Sequence, residues 1–208
     1  MTITVHHLNN SRSQRILWLL EELGADYKIA HYQRDAETNL APPELAKAHP
    51  LGKSPVIEDA GRVIAESGAI IQYLCERHGG ADWLPDVSSA EHIAHLEWMQ
   101  FGESSFFVPV MLKIMADRLG DAAAPMLPRV EEQFAAHVGY AEDNIGDNLH
   151  FVGDHWSASD VMMSFPAEIA VMRGYGERAP KLAKFVEAVH ARPAWQQARE
   201  KGGTHFIW

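Results

Sequence analysis

The residues best suited to binding chemistry lie where two predicted helices begin. Glu66 and Ser67 open a helix predicted over 67–78. The N-terminus of a helix offers free backbone N–H groups and positive potential, so it suits a carboxylate ligand. The alternative is an ordinary cap, in which Ser67 satisfies an N–H group of its own helix.

A second group of polar side chains precedes the helix predicted over 13–23. The run Ser11-Arg12-Ser13-Gln14 has the spacing of a capping box. In that motif a serine accepts from the backbone N–H three residues on, and the glutamine side chain returns to the serine. A serine hydroxyl that caps its own helix is oriented differently towards a ligand from one that is free to bind it. The run is therefore compatible with a helix cap or with a ligand-binding turn.

A third run, Ser157-Ala158-Ser159-Asp160, matches the capping box more completely. Ser157 can accept from the N–H of Asp160, and the Asp160 carboxylate can accept from the N–H of Ser157. We assign this run to folding and not to chemistry.

The histidines and the cysteine lack the spacing of a metal or redox site. His6 and His7 are neighbours in a predicted strand, so their side chains point to opposite faces and cannot hold one ion. No metal is therefore expected. Cys75 is the only cysteine, so a disulfide within the chain is impossible, which fits a reducing cytoplasm. We expect it to pack in the core of its helix.

Composition is typical of a soluble folded protein of 208 residues, with 47% hydrophobic and 22% charged side chains. The formal net charge of −10 argues against nucleic acid as a partner, because phosphate contacts need clustered Lys and Arg. No run of about 18 apolar residues is present, so no membrane span is expected. The first residues lack a basic start and an apolar signal core, which favours a cytoplasmic protein.

The elements that must position these residues follow an unusual order. Hydrophobic periodicity and turn residues predict β-α-β-α-β-β-α in the first part of the chain. This order indicates a four-stranded mixed sheet with helices on its faces. After a linker over 80–88, only helices are predicted. They include a long helix over 89–115 and a helix over 157–173 that is kinked at Pro166.

Three separated segments resemble those of glutathione transferases. They are NSRSQRILWLLEELG over 10–24, HPLGKSPVI over 49–57 with ESGAI over 66–70, and FVGD over 151–154 with SASD over 157–160. They occur in the family's order and at roughly its spacing, so the resemblance covers nearly the whole chain. It implies a thioredoxin-like, glutathione-binding α/β domain over 1–79 and an all-α helical bundle over 89–208.

The resemblance also implies a binding site for glutathione. In the family, the proline that matches Pro55 follows a cis peptide bond, which is essentially a proline feature. The backbone of the residue before it, here Ser54, binds the cysteinyl unit. Ser67 and its backbone would hold the γ-glutamyl carboxylate, and Glu66 would pair with the α-ammonium. Lys53 would lie near the glycyl carboxylate.

The chain departs from its relatives at the glycyl end of this site. Some classes of the family carry a basic or amide side chain shortly before the second, short helix. Leu40 stands there in this sequence, with Asn39 and Arg34 as possible substitutes.

The family places a Tyr, Ser or Cys after the first strand to donate a hydrogen bond to the glutathione sulfur. A thiol has a pKa of about 8.5, so a donor and a helix N-terminus raise its thiolate fraction at neutral pH. No Tyr or Cys precedes Tyr27. Ser11 is the first candidate because its spacing from Arg15 along the sequence resembles that of the theta-class serine. An alignment similar to that of the phi class places Asn10 at this sulfur-binding position instead. Ser13 is the third candidate.

The function implied by the resemblance is transfer of the glutathione thiolate, as co-substrate, to a small hydrophobic electrophile. This is a detoxification reaction, and the enzyme would be a homodimer. A glutathione-dependent peroxidase or disulfide-bond reductase is the alternative enzyme, and a non-catalytic binding module with the transferase fold is the alternative outside catalysis. Four bulky side chains either line the electrophile pocket or belong to the core: Phe106, Met111, Met115 and Trp208.

Overall fold

A four-stranded mixed sheet organises the first part of the chain. The structure is a computed structural model that describes residues 2–203 and 205. Its first elements are β1 (Ile3–Leu8), α1 (Ser13–Glu22), β2 (Tyr27–Tyr32), α2 (Leu45–Ala48), β3 (Val56–Asp59), β4 (Arg62–Ala65) and α3 (Ser67–Arg77). The four-stranded mixed sheet that the sequence predicts is present, with the strand order β2-β1-β3-β4.

The register of the sheet follows from its apolar residues. β1 pairs with β2 in parallel and with β3 antiparallel, so that Val5 lies between Ile29 and Ile57. Val5 and Ile57 are fully buried. The pairing of β1 with β3 reaches His6 opposite Val56, which brings the segment before β3 beside the end of β1.

The last helix among the described residues, α9 (Pro193–Gly202), packs on α1. The rings of Trp18 and Trp195 meet edge to face with centroids 5.8 Å apart. An ion pair joins Arg192 to Glu22 at the rim of this contact. The buried face of α1 is therefore covered on one side by the sheet and on another by α9.

The described chain divides into two compact units. The first contains residues 2–84 with 190–203 and 205, and the second contains residues 85–189. This division by packing differs from the sequence-based one, because it places the final helix with the sheet. The proposed domains over 1–79 and 89–208 stay a prediction.

The second unit is built from helices. They are α4 (Glu91–Gln100), α5 (Phe107–Leu119), α6 (Leu127–Asn144), α7 (Ala158–Ala170) and α8 (Pro180–Ala191), the last of which ends across the boundary. The helix predicted over 89–115 is interrupted by a π-helical turn, Phe101–Ser105. Gly102 in this turn packs so tightly that a Cβ would lie 2.8 Å from Cγ of Met162.

The predicted kink at Pro166 does not interrupt α7, which continues to Ala170. The helix changes to π-helical geometry only over Val171–Tyr175. None of the helices in the described part of the chain is both long and apolar enough to span a membrane.

The capping box at α7 is confirmed. The N–H of Ser157 donates to Oδ2 of Asp160 at 2.8 Å, and the reciprocal bond is also formed. Oδ1 of Asp160 accepts a further bond from the N–H of Phe151 at 2.9 Å. Asp160 is completely buried, so this carboxylate holds the segment before α7 as well as the helix end.

Candidate functional site

A cavity in the first unit gathers the residues that the sequence predicts to bind a ligand. Lys53, Ser54, Pro55, Glu66 and Ser67 all line it, and its other lining residues are Arg12, His49, Leu51, Val56 and Ala65. The cavity lies where the N-terminal ends of α1 and α3 meet the segment before β3. Two helix N-termini therefore contribute backbone donors and positive potential to one place.

Ser54 fixes one wall of the cavity through its side chain. Its hydroxyl donates to the carbonyl of His6 at 2.7 Å and accepts from the N–H of Leu8 at 3.3 Å. The Ser54–Pro55 peptide bond is cis, as predicted. Within the described chain, no backbone hydrogen bond involves the N–H or C=O of Ser54, so both groups are available to an extended ligand.

Ser67 is buried at the start of α3 without a partner for its hydroxyl. It is 2% exposed, and among the described residues Oγ has no hydrogen bond. The predicted alternative, an ordinary cap, is wrong, because α3 has no capping bond from a side chain. A buried hydroxyl without a partner costs about 1–3 kcal/mol. An acceptor group of a ligand in the cavity would supply the missing partner.

Glu66 precedes α3 in a backbone conformation that disfavours a side chain. Its φ of 69° with ψ of 120° lies in the region that glycine adopts most readily. Such a conformation costs about 1–3 kcal/mol and persists mainly at functional positions. The exposed carboxylate of Glu66 lines the same cavity as Ser67.

Arg12 is a lining residue that the sequence analysis did not assign to binding. Burial lowers the pKa of its guanidinium, and the carboxylate of Glu66 opposes that effect. Arg15, one turn further along α1, is 1% exposed. Burial lowers the pKa of Arg15 well below its ordinary value, and the charge of Arg12 adds to the effect. The half-buried Arg12 and the buried Arg15 make this end of α1 favourable for an anion.

The two serines before and in α1 are joined in a buried chain of hydrogen bonds. The hydroxyls of Ser11 and Ser13 are 2.7 Å apart, and Oγ of Ser13 lies 2.8 Å from Nδ1 of His7. Oγ of Ser11 also accepts from the N–H of Ser13 at 3.2 Å. Ser11 is 6% exposed and Ser13 is fully enclosed. Neither serine lines the cavity described above.

The capping box predicted as the alternative role of Ser11 is not formed. Arg12 occupies the N-cap position of α1, with no capping bond from its side chain. Both amide atoms of Gln14 are buried and have no hydrogen-bond partner in the described chain. The run at 11–14 instead turns its first hydroxyl towards Ser13.

Arg34 holds the loop that carries Asn10. Its guanidinium donates to the backbone carbonyls of Asn9, Asn10 and Asn39 at 3.1, 3.3 and 3.0 Å. Asn10 itself has a φ of 50°. Leu40 is 66% exposed. Arg34 therefore braces the turn before α1, and these bonds use a donor on each of its three guanidinium nitrogens.

The remaining predicted residues do not converge on this site. Phe106 is fully buried in the core, whereas Met111 is half-buried and Met115 is exposed. Trp208 lies outside the described residues. Cys75 is buried, and burial raises the pKa of its thiol to about 12. Among the described residues, no three side chains of metal-binding type come together.

The chain matches known proteins over nearly its whole length. Residues 1–76 match the family model described as glutathione S-transferase, N-terminal domain. The chain is 34% identical to glutathione S-transferase 3 of Schizosaccharomyces pombe, over 96% of this chain and 87% of that protein. A glutathione S-transferase of Actinobacillus pleuropneumoniae has a similar structure, with a TM-score of 0.88 and 31% identity over 98% of this chain and 94% of that one.

A more distant structural neighbour was crystallised with a ligand. It is a glutathione transferase of Phanerochaete chrysosporium with oxidized glutathione, with a TM-score of 0.81 and 18% identity over 97% of this chain and 95% of that one. At that identity the likeness supports the fold alone. The sequence identity with the S. pombe protein, which extends over nearly the whole chain, decides the family. This chain belongs to the glutathione S-transferase family.

Proposed function

We propose that this protein is a glutathione transferase that adds the glutathione sulfur to the electrophilic carbon of small hydrophobic molecules. The observation that carries the proposal is the buried hydroxyl of Ser67, which has no partner in the described chain and faces a cavity at the N-terminus of α3. A ligand carboxylate there would accept from this hydroxyl and from the free N–H groups of the helix.

The cavity offers a place for each part of the tripeptide. The γ-glutamyl carboxylate is assigned to Ser67, and the α-ammonium to Glu66. The free backbone N–H and C=O of Ser54 are assigned to the cysteinyl unit, whose extended backbone can pair with them as a strand would. Lys53, which is exposed at the rim, is assigned to the glycyl carboxylate. Arg12 adds positive charge between these positions.

The sulfur is assigned to the end of α1, where Asn10, Ser11 and Ser13 precede or begin the helix. There the thiolate is stabilised by the helix N-terminus and by the nearby Arg12 and Arg15. In the reaction the thiolate forms a carbon–sulfur bond with the electrophile, and either a leaving group departs or a proton adds to the neighbouring carbon. The protein's part is to hold the tripeptide and to raise the thiolate fraction.

A second candidate is a glutathione-dependent peroxidase or disulfide-bond reductase. The neighbour from Phanerochaete chrysosporium was crystallised with oxidized glutathione, which is the product of such chemistry. Cys75 is buried with its thiol pKa raised to about 12, so its thiolate fraction at neutral pH is negligible. Reduction would therefore proceed through two glutathione molecules and not through an enzyme disulfide.

Turnover of a substrate panel tests these assignments. The purified protein would be assayed with glutathione and halogenated aromatic compounds, with organic peroxides, and with mixed disulfides. Conjugation of the halogenated compounds is the expected result. Turnover of peroxide or disulfide alone would favour the second candidate. Binding of glutathione without turnover of any of the three classes would contradict both and leave a non-catalytic binding module.

A further inference from the structure

A second cavity lies within the helical second unit of the chain. Its volume is about 570 Å³, which is in the range of pockets that hold small molecules. Its lining residues come from α4, the π-helical turn Phe101–Ser105 and α6. It shares no lining residue with the cavity beside α3, so the groups assigned to glutathione leave it unexplained.

One wall of this cavity is a cluster of three aromatic rings. The ring centroid of Trp98 lies 5.4 Å from that of Phe101 and 5.7 Å from that of Tyr140, and Phe101 and Tyr140 are 5.1 Å apart. Trp98 is buried and also contacts Phe151, with centroids 4.7 Å apart, whereas Tyr140 is 51% exposed. The cluster is thus anchored in the core at one end and open to solvent at the other.

The charge of the lining is negative. Glu97 is an exposed lining residue, and its carboxylate has no hydrogen bond or ion pair with another described residue. No lysine or arginine is among the residues that line this cavity. The faces of aromatic rings also carry negative partial charge. The lining is therefore the electrostatic opposite of the cavity beside α3, to which Arg12 and Lys53 contribute positive charge.

His137 adds an acceptor to the same lining. Its Nδ1 lies 2.6 Å from the backbone carbonyl oxygen of Gln133. A carbonyl oxygen can only accept, so Nδ1 is the donor, and the neutral ring has Nε2 left as an acceptor. A carboxylate, an imidazole acceptor and aromatic rings together favour a ligand that is positively charged.

We propose that this cavity binds an aromatic organic cation, a flat molecule whose positive charge is delocalised over its rings. The aromatic wall contacts the ligand through cation–π and stacking interactions, and Glu97 pairs with its charge. An anionic aromatic molecule is disfavoured by Glu97 and by the net charge of −10. The proposal is independent of the proposed function, because none of the residues that it uses is assigned to glutathione.

Fluorescence titration with thioflavin T, a flat benzothiazolium cation, tests the proposal on the purified full chain. The expected result is saturable binding of one dye per chain that weakens as salt is added, because the exposed charge of Glu97 is screened. The uncharged parent dye, 2-(4-dimethylaminophenyl)benzothiazole, should bind at least threefold more weakly. Saturating glutathione should displace neither dye.

Two exposed positions provide matched variants that keep the fold. Glu97→Gln should weaken the binding of thioflavin T about threefold, as expected for an exposed ion pair, and leave the affinity for the uncharged dye unchanged. Tyr140→Leu should weaken thioflavin T by a similar factor, because the aromatic face is lost. Tyr140→Phe retains that face and should bind thioflavin T as the wild type does. Urea midpoints verify that each variant is folded.

Controls lie in the same unit but outside the cavity. Glu177→Gln removes an exposed carboxylate and Ser104→Ala an exposed hydroxyl, and neither residue lines the cavity. Both variants should bind thioflavin T as the wild type does.

Several outcomes would overturn the proposal. They are the absence of saturable binding, equal affinity for the charged and uncharged dyes, displacement by glutathione, and unchanged affinity in both Glu97→Gln and Tyr140→Leu. An apparent affinity that falls as the protein concentration rises would show that a second copy of the chain covers the cavity, and it would also overturn the proposal. A failure of glutathione to bind would contradict the proposed function and leave this inference intact.

Discussion

Glu66 holds a strained backbone conformation at the entrance to α3, which leads to the first prediction. Glycine adopts a φ of 69° without steric cost, so Glu66→Gly should raise the free energy of unfolding by about 1 kcal/mol. Glutathione affinity should nevertheless fall, because the carboxylate assigned to the α-ammonium is lost. Urea denaturation and titration calorimetry measure the two effects.

Ala60→Gly is the matched control for this variant. Ala60 also has a positive φ, of 48°, but lies in the turn between β3 and β4 and does not line the cavity. It should gain a similar stability and keep its affinity for glutathione. Equal losses of affinity in both variants would show that Glu66 has no special part in binding.

The buried ring of His7 predicts a specific dependence of stability on pH. Its pKa is about 4 in the folded protein against about 6.5 in the unfolded chain. Between these values the unfolded state binds more protons, so stability rises with pH. The contribution of about 3 kcal/mol is fully present above pH 6.5 or so and is lost as the pH falls towards 4.

Urea midpoints measured from pH 4 to 7 check this prediction. His7→Phe should show a shallower loss of stability on acidification than the wild type. Part of the loss should remain, because burial also lowers the pKa of His95. Parallel profiles for the two proteins would contradict the assignment of a buried neutral ring.

Sequence patterns identified most of the lining residues but not the hydrogen bonds among them. Lys53, Ser54, Glu66 and Ser67 belong to two short stretches, 49–57 and 66–70, that resemble the family, so the resemblance was enough to find them. Arg12 could not be assigned in this way, since an arginine in a polar run is ordinarily solvated. The bonds that join Ser13 to His7 depend on how α1 lies against β1, and no local spacing specifies that geometry.

At the scale of elements, the start of α7 depends on one carboxylate. Asp160→Ala removes the acceptor for the N–H groups of Phe151 and Ser157 and for the Ser157 hydroxyl. Leaving buried donors unsatisfied should lower the free energy of unfolding by about 3 kcal/mol. Chemical denaturation measures the loss, and calorimetry should show unchanged glutathione affinity in the folded protein.

Asp154→Ala is the control for this effect, because its side chain is 94% exposed in the same segment. Its stability should stay close to that of the wild type. If Asp160→Ala instead loses glutathione affinity at an unchanged melting temperature, our assignment of this carboxylate to folding is wrong.

The sequence predicted the elements better than their interruptions. Apolar periodicity runs continuously through 89–115, so it gave no sign of the π-helical turn at Phe101–Ser105. The turn coincides with the close approach of Gly102 to Met162, which is a contact with a helix some sixty residues later in the chain. The packing of α9 on α1 is equally non-local, and no local pattern in the sequence indicates it.

At the scale of the whole molecule, we predict a homodimer. Apolar side chains on α4 and α5 are more than two-fifths exposed, including Ile93, Leu96, Val108 and Met115. Exposed apolar surface of this kind is typical of an interface between subunits. Sedimentation at micromolar concentration should give twice the chain mass of 23.2 kDa. A single monomeric species would contradict the prediction.

Titration of glutathione into the wild type and into Ser67→Ala tests the central claim most directly. Calorimetry should show saturable binding to the wild type. Ser67→Ala should weaken it about tenfold or more, because a hydrogen bond to a ligand carboxylate is lost. The same variant should unfold no more easily than the wild type, since it removes a buried hydroxyl that has no partner in the described protein. Ser104→Ala should leave the affinity unchanged. An undiminished affinity in Ser67→Ala, or no binding to the wild type, would contradict this account.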